Sequence, residues 1–596
     1  MSAIRESMRS PHDGFLKTTT WGRRLALLAL ITLLAAGLSF ADSKKHKLSK
    51  DLDAIKGGKH GATVDVIIQF NQTPTNAYHQ KVHNKGGVLK RKLDVIKGAH
   101  YSIPVEALDA LADDPDVVFI SPNRPLNGAL DHVVRAVNAD IAYSQGWDGT
   151  GIGIAVVDSG VGVHDDLYTD RGALATRVVY GQSFVAGDSS TTDAYGHGTH
   201  VAGIISSNGM DSQQKRYPGV YRGIAPEASI INLRVLDGNG AGSDSSVIAA
   251  IQQAINLQST YNIRVLNLSL GRPVYESYTL DPLCQAAEAA WNAGIVVVVA
   301  AGNSGRDMSL GTQGYATIGA PANDPYVITV GASNLHGSFS QSSQSIASYS
   351  SKGPTLIDHV VKPDLAAPGN RVVSLLSSNN TLATTYPSLD VFPCNSIGTS
   401  CGSYYGAPQY FRLSGTSMAT PVVSGAAALL LQQNPALTPD QVKARLMKTA
   451  WKGYSHYLNE IDSHGFNHAL QHDIFAIGTG FVDVAAALSS TDLAPPTLGS
   501  AKSPSVNYDP LTRTAYLVAD PTSIWNSSVV WGTSVVWGTS VFKFNGTTVQ
   551  GYSVVWGDSV VWGSYLDQGF SVVWGDSVLW GTSVTQAFSA GDDGDE

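Results

Sequence analysis

The sequence predicts an α/β protein whose main domain is a doubly wound, mostly parallel sheet, with a small α+β domain before it and a β-rich repeat region after it. From about Val134 to Ser490, short runs of Val, Ile and Leu alternate with alanine-rich helical stretches, as in a parallel sheet with crossover helices. Between Val64 and Ile120, strand and helix patterns alternate over a much shorter length. We therefore divide the chain into residues 1–41, 42–130, 131–490 and 491–596.

The amino terminus has the pattern of a signal peptide. Arg23 and Arg24 precede 14 apolar residues, 25–38, which are too few to span a bilayer but typical of a signal h-region. Ser39-Phe40-Ala41 offers small residues for cleavage after Ala41. We expect a secreted or cell-surface protein, with a membrane anchor or a start at Met8 as open alternatives.

The small α+β domain follows at 42–130. Strand patterns cover Val64–Phe70, Ala99–Ile103 and Val117–Ile120, and a short amphipathic helix covers Pro104–Ala112. Strand, helix, strand, helix and strand in this order predict a compact sandwich with a core of its own.

Three separate segments of the main domain each carry one group suited to acyl transfer. They are Val156–Gly160, Gly196–Gly203 and Gly415–Pro421, and they hold an Asp, a His and a Ser among small residues. The apolar run Ile152–Val157 predicts a buried strand that ends at the Asp. The carboxyl ends of such strands are where open α/β sheets keep their sites.

The chemistry assigns a role to each of these groups. A serine hydroxyl becomes a nucleophile when a neighbouring base takes its proton, and histidine titrates near neutral pH. We therefore expect Ser417 as nucleophile, His197 as general base and then acid, and Asp158 as the carboxylate that fixes the imidazole. Taken singly, Asp158 could be a turn residue, Ser417 a helix cap, and His197 with His200 a metal pair.

Together the three segments resemble the subtilisin-like serine proteases, the subtilases of peptidase family S8, both in their amino-acid sequence and in the order Asp, His, Ser. The resemblance implies a subtilisin-like fold and a serine endopeptidase that acts on polypeptide substrates and needs no cofactor for its chemistry. It places catalysis on the first histidine, so that His200 is structural. It also gives Asn303, which follows the strand pattern 295–302, the role of an oxyanion donor.

The same resemblance implies the walls of a peptide-binding cleft. One wall is a strand that pairs with substrate, formed by Ser269, Leu270 and Gly271. The second wall is the end of a strand, formed by Ala300, Ala301 and Gly302, and Gly319 is the floor of the pocket. No charge is evident there, which favours a large apolar P1 side chain. Arg272 stands where a small residue is usual, and it is either solvent-exposed or a bias on neighbouring subsites.

The resemblance extends to maturation and to a metal. Residues 42–130 resemble the ferredoxin-like inhibitory propeptide of subtilisins, which implies an intramolecular inhibitor and self-cleavage between Asn123 and Val134. A permanent N-terminal domain is the alternative. Asp166 matches an aspartate that often binds calcium, so a structural calcium ion is an expectation. Two insertions, Met210–Val220 and the polar Leu375–Tyr410, depart from the family pattern.

The three cysteines do not form a disulfide scaffold. Cys394 and Cys401, seven residues apart in the polar insertion, are expected to form a small disulfide in an oxidising compartment. Cys284 is left over, and it begins an alanine-rich helical stretch where we expect a buried thiol.

The last region, 491–596, repeats Ser-Val-Val-Trp-Gly followed by Thr or Asp. The tryptophans are Trp525, Trp531, Trp537, Trp556, Trp562, Trp574 and Trp580. A spacing of six puts them on one face of an extended strand, so each hexapeptide could be one layer of a stacked β structure. A module that binds cell surfaces or self-associates, a polysaccharide-binding face and a tail removed on maturation are all open interpretations.

Composition excludes some functions. The formal net charge of −9, to which 491–596 contributes −7, argues against nucleic-acid binding. An esterase or lipase would need Gly-x-Ser-x-Gly at Ser417, which is absent. Two classes remain: an active secreted endopeptidase made as a zymogen, and a surface-binding protein with a silent protease domain. The intact Asp, His, Ser and Asn favour the first.

Overall fold

The computed structural model describes two compact units that divide between Leu126 and Asn127. The described residues are 47–49, 52, 63–122, 129–169, 175–214, 217–307, 309, 312, 314–394, 401–455, 457–462, 464–509, 514–518, 520–526, 543–544, 547–548, 585–587 and 595. The predicted signal peptide and most of the tryptophan repeat lie outside these residues.

The first unit is a four-stranded antiparallel sheet with two helices. Its elements are β1 (Thr63–Phe70), α1 (Asn76–His83), β2 (Val88–Leu93), β3 (Gly98–Pro104), α2 (Leu108–Ala112) and β4 (Val117–Pro122). The strand order β2–β3–β1–β4 with these connections is the split βαβ, or ferredoxin-like, arrangement. Every second residue of β1 from Val66 to Phe70 is buried, so the unit has a core of its own.

Strand β2 was not predicted from the sequence. This edge strand, Val-Leu-Lys-Arg-Lys-Leu, exposes nearly all of its side chains, so it lacks the alternation that marks a half-buried strand. Lysine and arginine on an edge strand also discourage pairing with other chains.

The second unit contains an eight-stranded, mostly parallel sheet. Its order is β13–β12–β11–β9–β5–β7–β6, with β14 also paired to β12. The strands of the second unit up to the carboxyl-terminal region are β5 (Gly153–Asp158), β6 (Val178–Ser183), β7 (Ser229–Arg234), β8 (Ala241–Gly242), β9 (Ile263–Leu268), β10 (Leu270–Gly271), β11 (Val296–Ala300), β12 (Ile328–Asn334), β13 (Ser345–Ile346), β14 (Leu365–Pro368), β15 (Val372–Leu375), β16 (Asp390–Val391), β17 (Tyr410–Leu413), β18 (Tyr457–Ile461) and β19 (Asn467–Gln471).

Helices connect these strands. They are α3 (Ala129–Ala136), α4 (Ala139–Ser144), α5 (His197–Ser206), α6 (Met210–Gln214), α7 (Asp244–Asn256), α8 (Gln258–Tyr261), α9 (Pro282–Asn292), α10 (Thr381–Thr385), α11 (Thr416–Gln433), α12 (Pro439–Thr449), α13 (Ile474–Ile477) and α14 (Val484–Ser489). Short 3₁₀ helices lie at Asp94–Ile96, Val105–Ala107, Asp165–Leu167, Gln341–Ser343, Pro387–Leu389, Ser403–Tyr405 and Ile524–Asn526. No helix in the described part of the chain is long and apolar enough to cross a membrane.

Strand β5 lies inside this sheet, between β7 and β9. Beyond β7 on one side lies β6, and beyond β9 on the other side lie β11 and β12, which come later in the chain. The sheet is therefore doubly wound, as expected, and its order reverses at β5. In such sheets the crevice for ligands opens at the carboxyl ends of the strands beside the reversal, and Asp158 is the last residue of β5.

Helix α11 passes through the core beside β9, β11 and β12. All its residues from Thr416 to Leu431 are buried, because its Gly, Ala and Ser residues allow neighbouring elements to approach on every side. The amino terminus of α11, which carries Ser417, is thereby fixed against the sheet.

Packing continues beyond residue 490. The hairpin of β20 (Ser505–Asp509) and β21 (Thr514–Val518) places Val506 and Leu517 in the core of the second unit, and Trp525 is fully buried there. The compact unit therefore does not end at 490. Three further short strands are described, β22 (Lys543–Phe544), β23 (Thr547–Thr548) and β24 (Thr585–Ala587), of which β24 pairs with β8 and β10.

Candidate active site

Asp158 and His197 form a buried acid–base pair. Asp158 ends β5, and His197 begins α5. The two atoms His197 Nδ1 and Asp158 Oδ1 lie 2.7 Å apart, with His197 fully buried and Asp158 1% exposed. Within the described residues His197 Nε2 has no hydrogen-bond partner. The imidazole is thus held at one nitrogen and open at the other, as a general base requires.

Two glycines allow α5 to approach β5 this closely. A Cβ on Gly198 would lie 2.2 Å from the carbonyl oxygen of Gly160, and Gly160 itself has φ +113°. A larger side chain at Gly198 would push the helix away from the strand, and one at Gly160 would be strained by its positive φ and would meet the main chain of Thr191. This explains why small residues surround the Asp and the His in the sequence.

Asp193 organises the start of α5, a role that the sequence analysis missed. Its carboxylate accepts hydrogen bonds from the N–H groups of Gly196 and Thr199, both at 2.7 Å, and from Ser159 Oγ at 2.8 Å. Burial raises the pKa of this carboxyl, although the hydrogen bonds oppose the shift. Asp193 lies three residues before Gly196, the N-cap residue of α5, so it lies outside the usual capping position and no capping pattern in the sequence marks it.

Ser417 lies in the first turn of α11. Its hydroxyl donates to the carbonyl oxygen of Ser269 at 2.8 Å, and Ser269 Oγ donates back to the Ser417 carbonyl oxygen at 2.9 Å. The second bond has a reason in the sequence. Pro421, four residues on, has no N–H to bond the Ser417 carbonyl, so Ser269 supplies the missing donor.

Asn303 is held by Thr416, the residue before Ser417. Thr416 N and Oγ1 donate to Asn303 Oδ1 at 2.9 and 3.1 Å. Asn303 Nδ2 is buried and has no partner within the described residues. A fixed amide with a free N–H beside the serine can stabilise negative charge that develops there.

The residues expected to line the cleft lie in two groups. Ser269, Leu270 and Gly271 are buried at β10, and Ala300 and Ala301 are buried at the end of β11. Gly302 and Gly319 both line a cleft of about 220 Å³, together with Ala316, Thr317 and Ile318.

This cleft is not free of charge, contrary to expectation. Arg272 and Asp307 also line it. Arg272 is not solvent-exposed, since it is only 3% accessible and its guanidinium donates to Asp244 at 3.0 Å and to Asp281 at 2.9 Å. Its positive charge is therefore neutralised by carboxylates beside the cleft, whereas Asp307 is exposed.

His200 lies away from the reacting groups. Its Nε2 is 3.0 Å from the carbonyl oxygen of Phe411 and 3.2 Å from that of Val372. Burial, with a smaller effect of His197, lowers its pKa to about 3, so it stays neutral and structural.

Two of the three cysteines are paired in the structure and the third is buried. Cys394 and Cys401 are bonded, in the Leu375–Tyr410 insertion. Parts of that predicted polar loop form a small sheet in the order β15–β17–β16. Cys284 is buried on α9, where burial keeps the pKa of its thiol well above the ordinary value.

Asp166 belongs to a small group that could hold a metal ion, with His164 and Asp211. The donor set does not fit calcium, which takes six to eight oxygen ligands. Asp166 Oδ1 accepts from the Asp211 N–H, its Oδ2 accepts from Tyr410 and Ser207, and both His164 nitrogens are hydrogen-bonded. These partners satisfy the carboxylate of Asp166, and we assign no part of the chemistry to a metal.

Comparison with known proteins places this chain in a family. Residues 149–480 match the Subtilase family, peptidase S8. Serine protease AprX of Bacillus subtilis (strain 168) is 36% identical over 396 residues, which cover 64% of this chain and 82% of that protein. Subtilisin E of the same organism is 32% identical over 417 residues, 68% of this chain and 91% of that protein. The alkaline protease of Shouchella clausii is 31% identical over 432 residues, 72% and 93% respectively.

Proposed function

This chain belongs to the subtilase family of serine endopeptidases, and we propose that it cleaves peptide bonds with Ser417 as nucleophile, His197 as general base and Asp158 as orienting acid. The observation that carries the assignment is the 2.7 Å contact between His197 Nδ1 and Asp158 Oδ1, which leaves Nε2 free of protein partners among the described residues. That contact fixes the proton on Nδ1, so Nε2 is the basic nitrogen.

The reaction begins when the Ser417 hydroxyl turns from the Ser269 carbonyl to His197 Nε2. The oxygen attacks the substrate carbonyl carbon as its proton passes to His197. Asp158 stabilises the imidazolium that forms. His197 then protonates the leaving amine, which breaks the peptide bond, and water releases the acyl group from Ser417 by the same steps in reverse order. Subtilases need no cofactor for these reaction steps.

Asn303 stabilises the tetrahedral intermediate in this proposal. Its Nδ2 and the backbone N–H of Ser417 donate to the oxyanion. Support comes from Thr416, whose two hydrogen bonds to Asn303 Oδ1 leave only Nδ2 to face outward from that contact. The donor is therefore oriented before substrate arrives and needs no reorganisation.

Polypeptide substrates bind in extended form along β10 in this proposal. Main-chain pairing to Ser269, Leu270 and Gly271 tolerates many sequences, while the cleft beside Gly302 and Gly319 sets the P1 preference. We keep the proposal of an apolar P1 residue, because the charge of Arg272 is neutralised by Asp244 and Asp281. The exposed carboxylate of Asp307 at the same cleft would additionally disfavour an acidic P1 residue.

We further propose that the protein is secreted and made as a zymogen. Residues 1–41 serve as the signal peptide, 42–130 as the propeptide and intramolecular inhibitor, and 131–490 as the peptidase domain, to whose core Val506, Leu517 and Trp525 also belong. The independent core of the first unit supports this division, and the unit boundary after Leu126 falls within the predicted cleavage segment, between Asn123 and Val134.

A fluorophosphonate probe, which labels activated serines, tests the nucleophile. The wild type should be labelled on Ser417 and should digest casein, and Ser417→Ala should do neither. Ser424→Ala is the matched control, because it makes the same substitution on the same buried helix, and it should still be labelled and still digest casein. Label on another serine would contradict the assignment of Ser417 as nucleophile. An unlabelled and inert wild type that folds normally would favour a binding protein with a silent site.

A further inference from the structure

The carboxyl-terminal strand β24 lies between two short strands of the peptidase unit. It pairs antiparallel with β10, where Leu270 faces Ala587 and Gly271 faces Gln586. It also pairs antiparallel with β8, through Thr585 with Gly242 and Gln586 with Ala241. Among the described strands, β24 is what joins β8 to β10 in one sheet.

The position of β24 is that of a substrate strand. Leu270 and Gly271, its partners on one side, are two of the residues proposed to pair with substrate. The preceding residue, Ser269, holds the hydroxyl of Ser417 through its carbonyl oxygen at 2.8 Å. An extended peptide bound by main-chain pairing to β10 would need the same hydrogen-bonding edge, so it cannot bind while β24 is there.

A second contact, a pocket around Asp595, attaches the carboxyl-terminal segment to the second unit. This side chain is fully buried, and its carboxylate accepts from Arg306 Nη2 at 2.8 Å, the Ser348 N–H at 2.7 Å and Ser348 Oγ at 2.5 Å. Asn370 bonds both main-chain groups of Asp595, at 2.7 and 2.9 Å. A buried carboxylate is stable only with such partners.

The Asp595 pocket adjoins the catalytic loop. Arg306 follows Asn303 by three residues, and Asn370 follows Gly369, whose carbonyl oxygen accepts from the Gly415 N–H at 2.9 Å. Gly415 and Thr416 lead directly into Ser417. The β24 attachment thus lies next to Ser269, which contacts Ser417, and the Asp595 attachment lies next to segments that bond Gly415 and Thr416.

We infer that the carboxyl terminus is an intramolecular ligand of the substrate cleft, bound as a strand by β8 and β10 and anchored by a carboxylate pocket of Arg306, Ser348 and Asn370. This rests on the proposed function. A tethered ligand has an effective concentration of about millimolar, so it competes with polypeptide substrates without any partner. Competition raises the apparent KM and leaves kcat unchanged.

Full-length point variants test the inference. Gln586→Pro removes the N–H of the middle residue of β24, whereas Gln586→Ala keeps it and serves as the matched control. Asp595→Ala removes the anchor. With a tetrapeptide p-nitroanilide as substrate, Gln586→Pro and Asp595→Ala should lower KM by about threefold or more at constant kcat, since the tethered competitor is lost. Gln586→Ala should match the wild type.

Intact mass shows whether the purified wild type still carries its carboxyl-terminal segment. If it does not, the test is a synthetic peptide of residues 583–596 added to the Gln586→Pro enzyme. The peptide should inhibit competitively, and the same peptide with Pro at 586 should not. Equal inhibition by both peptides, or none at millimolar concentration, would overturn the inference. An enzyme without p-nitroanilide hydrolysis in every variant would instead overturn the proposed function.

Discussion

Replacing Asn303 by Ala removes the side-chain donor proposed for the oxyanion without touching Asp158, His197 or Ser417. Asn303 Oδ1 is bound by two donors of Thr416, so the amide has one orientation, and Nδ2 has no other partner among the described residues. The donor therefore has no visible structural task, and its loss should appear in the transition state rather than in substrate binding. The same substitution also removes Oδ1, the acceptor of the buried Thr416 N–H, and this should cost about 1–3 kcal/mol of stability.

The expected size follows from this geometry. Losing one preorganised oxyanion donor lowers kcat by about 10²–10³, or roughly 2.7–4 kcal/mol, a range established on a subtilisin. Thr416→Val removes one of the two bonds that orient Asn303, and one such bond contributes about 1 kcal/mol, so kcat should fall roughly fivefold. Asn303→Asp keeps the shape but offers no donor, and it should be at least as slow as Asn303→Ala.

Steady-state kinetics with a peptide p-nitroanilide measure these effects. We expect kcat to fall in the order wild type, Thr416→Val, Asn303→Ala, with KM within about a factor of two, as for an interaction made only in the transition state. The thermal midpoint of Asn303→Ala should fall as well, because the buried Thr416 N–H loses its acceptor, so kcat is compared at a temperature where both proteins are folded. A loss confined to KM, or a kcat for Asn303→Ala within threefold of the wild type, would refute the oxyanion assignment.

Three further variants test the surroundings of the site. Asp193→Asn can no longer accept on both oxygens, so it should lose about 1–3 kcal/mol in chemical unfolding and lower kcat as the start of α5 loosens. Ser269→Ala leaves the Ser417 carbonyl without a donor and should destabilise by a similar amount, read in the same titration. Burial lowers the pKa of Lys443 to about 7, so its unfolded form binds more protons between pH 7 and 10.5 and it contributes stability that rises with pH there. Burial lowers the pKa of Lys452 to about 7 as well, so Lys443→Met, measured in the Ser417→Ala background, should reduce the rise without removing it, and Met in place of the partly exposed Lys448 should not change it.

Much of the site followed from the sequence because its residues sit in short local motifs. Asp158 ends an apolar run, His197 and Ser417 begin helices, and Asn303 follows a strand, so each position could be assigned without knowledge of the fold. The family comparisons agree with the recognition and with serine endopeptidase activity. Individual roles and maturation sites stay predictions that the variants above address.

Long-range contacts could not be read from the sequence. The burial of Arg272 depends on Asp244 and Asp281, which no local pattern pairs with it. Asp364 with Lys362 and Lys443 forms a buried charged cluster from segments far apart in the chain. Burial opposes ionisation of Asp364, but the two lysines hold the pKa of its carboxyl below the usual value.

The ends of the chain show the same limit. Strand β2 was missed because an exposed edge strand has no apolar alternation. Trp525 was grouped with the repeated tryptophans, yet it is buried in the peptidase core and donates to the Ala501 carbonyl oxygen at 3.0 Å. Strand β24 has only three residues, and nothing in Thr-Gln-Ala indicates the two strands with which it pairs.

The most direct test is intact mass over time for purified wild type and Ser417→Ala, each with a generic protein substrate present. The wild type should shed its amino-terminal domain by a cut between Asn123 and Val134 and digest the substrate, while Ser417→Ala stays whole and the substrate survives. Self-cleavage or digestion by Ser417→Ala would contradict the assignment of Ser417 as the nucleophile of a self-processing protease.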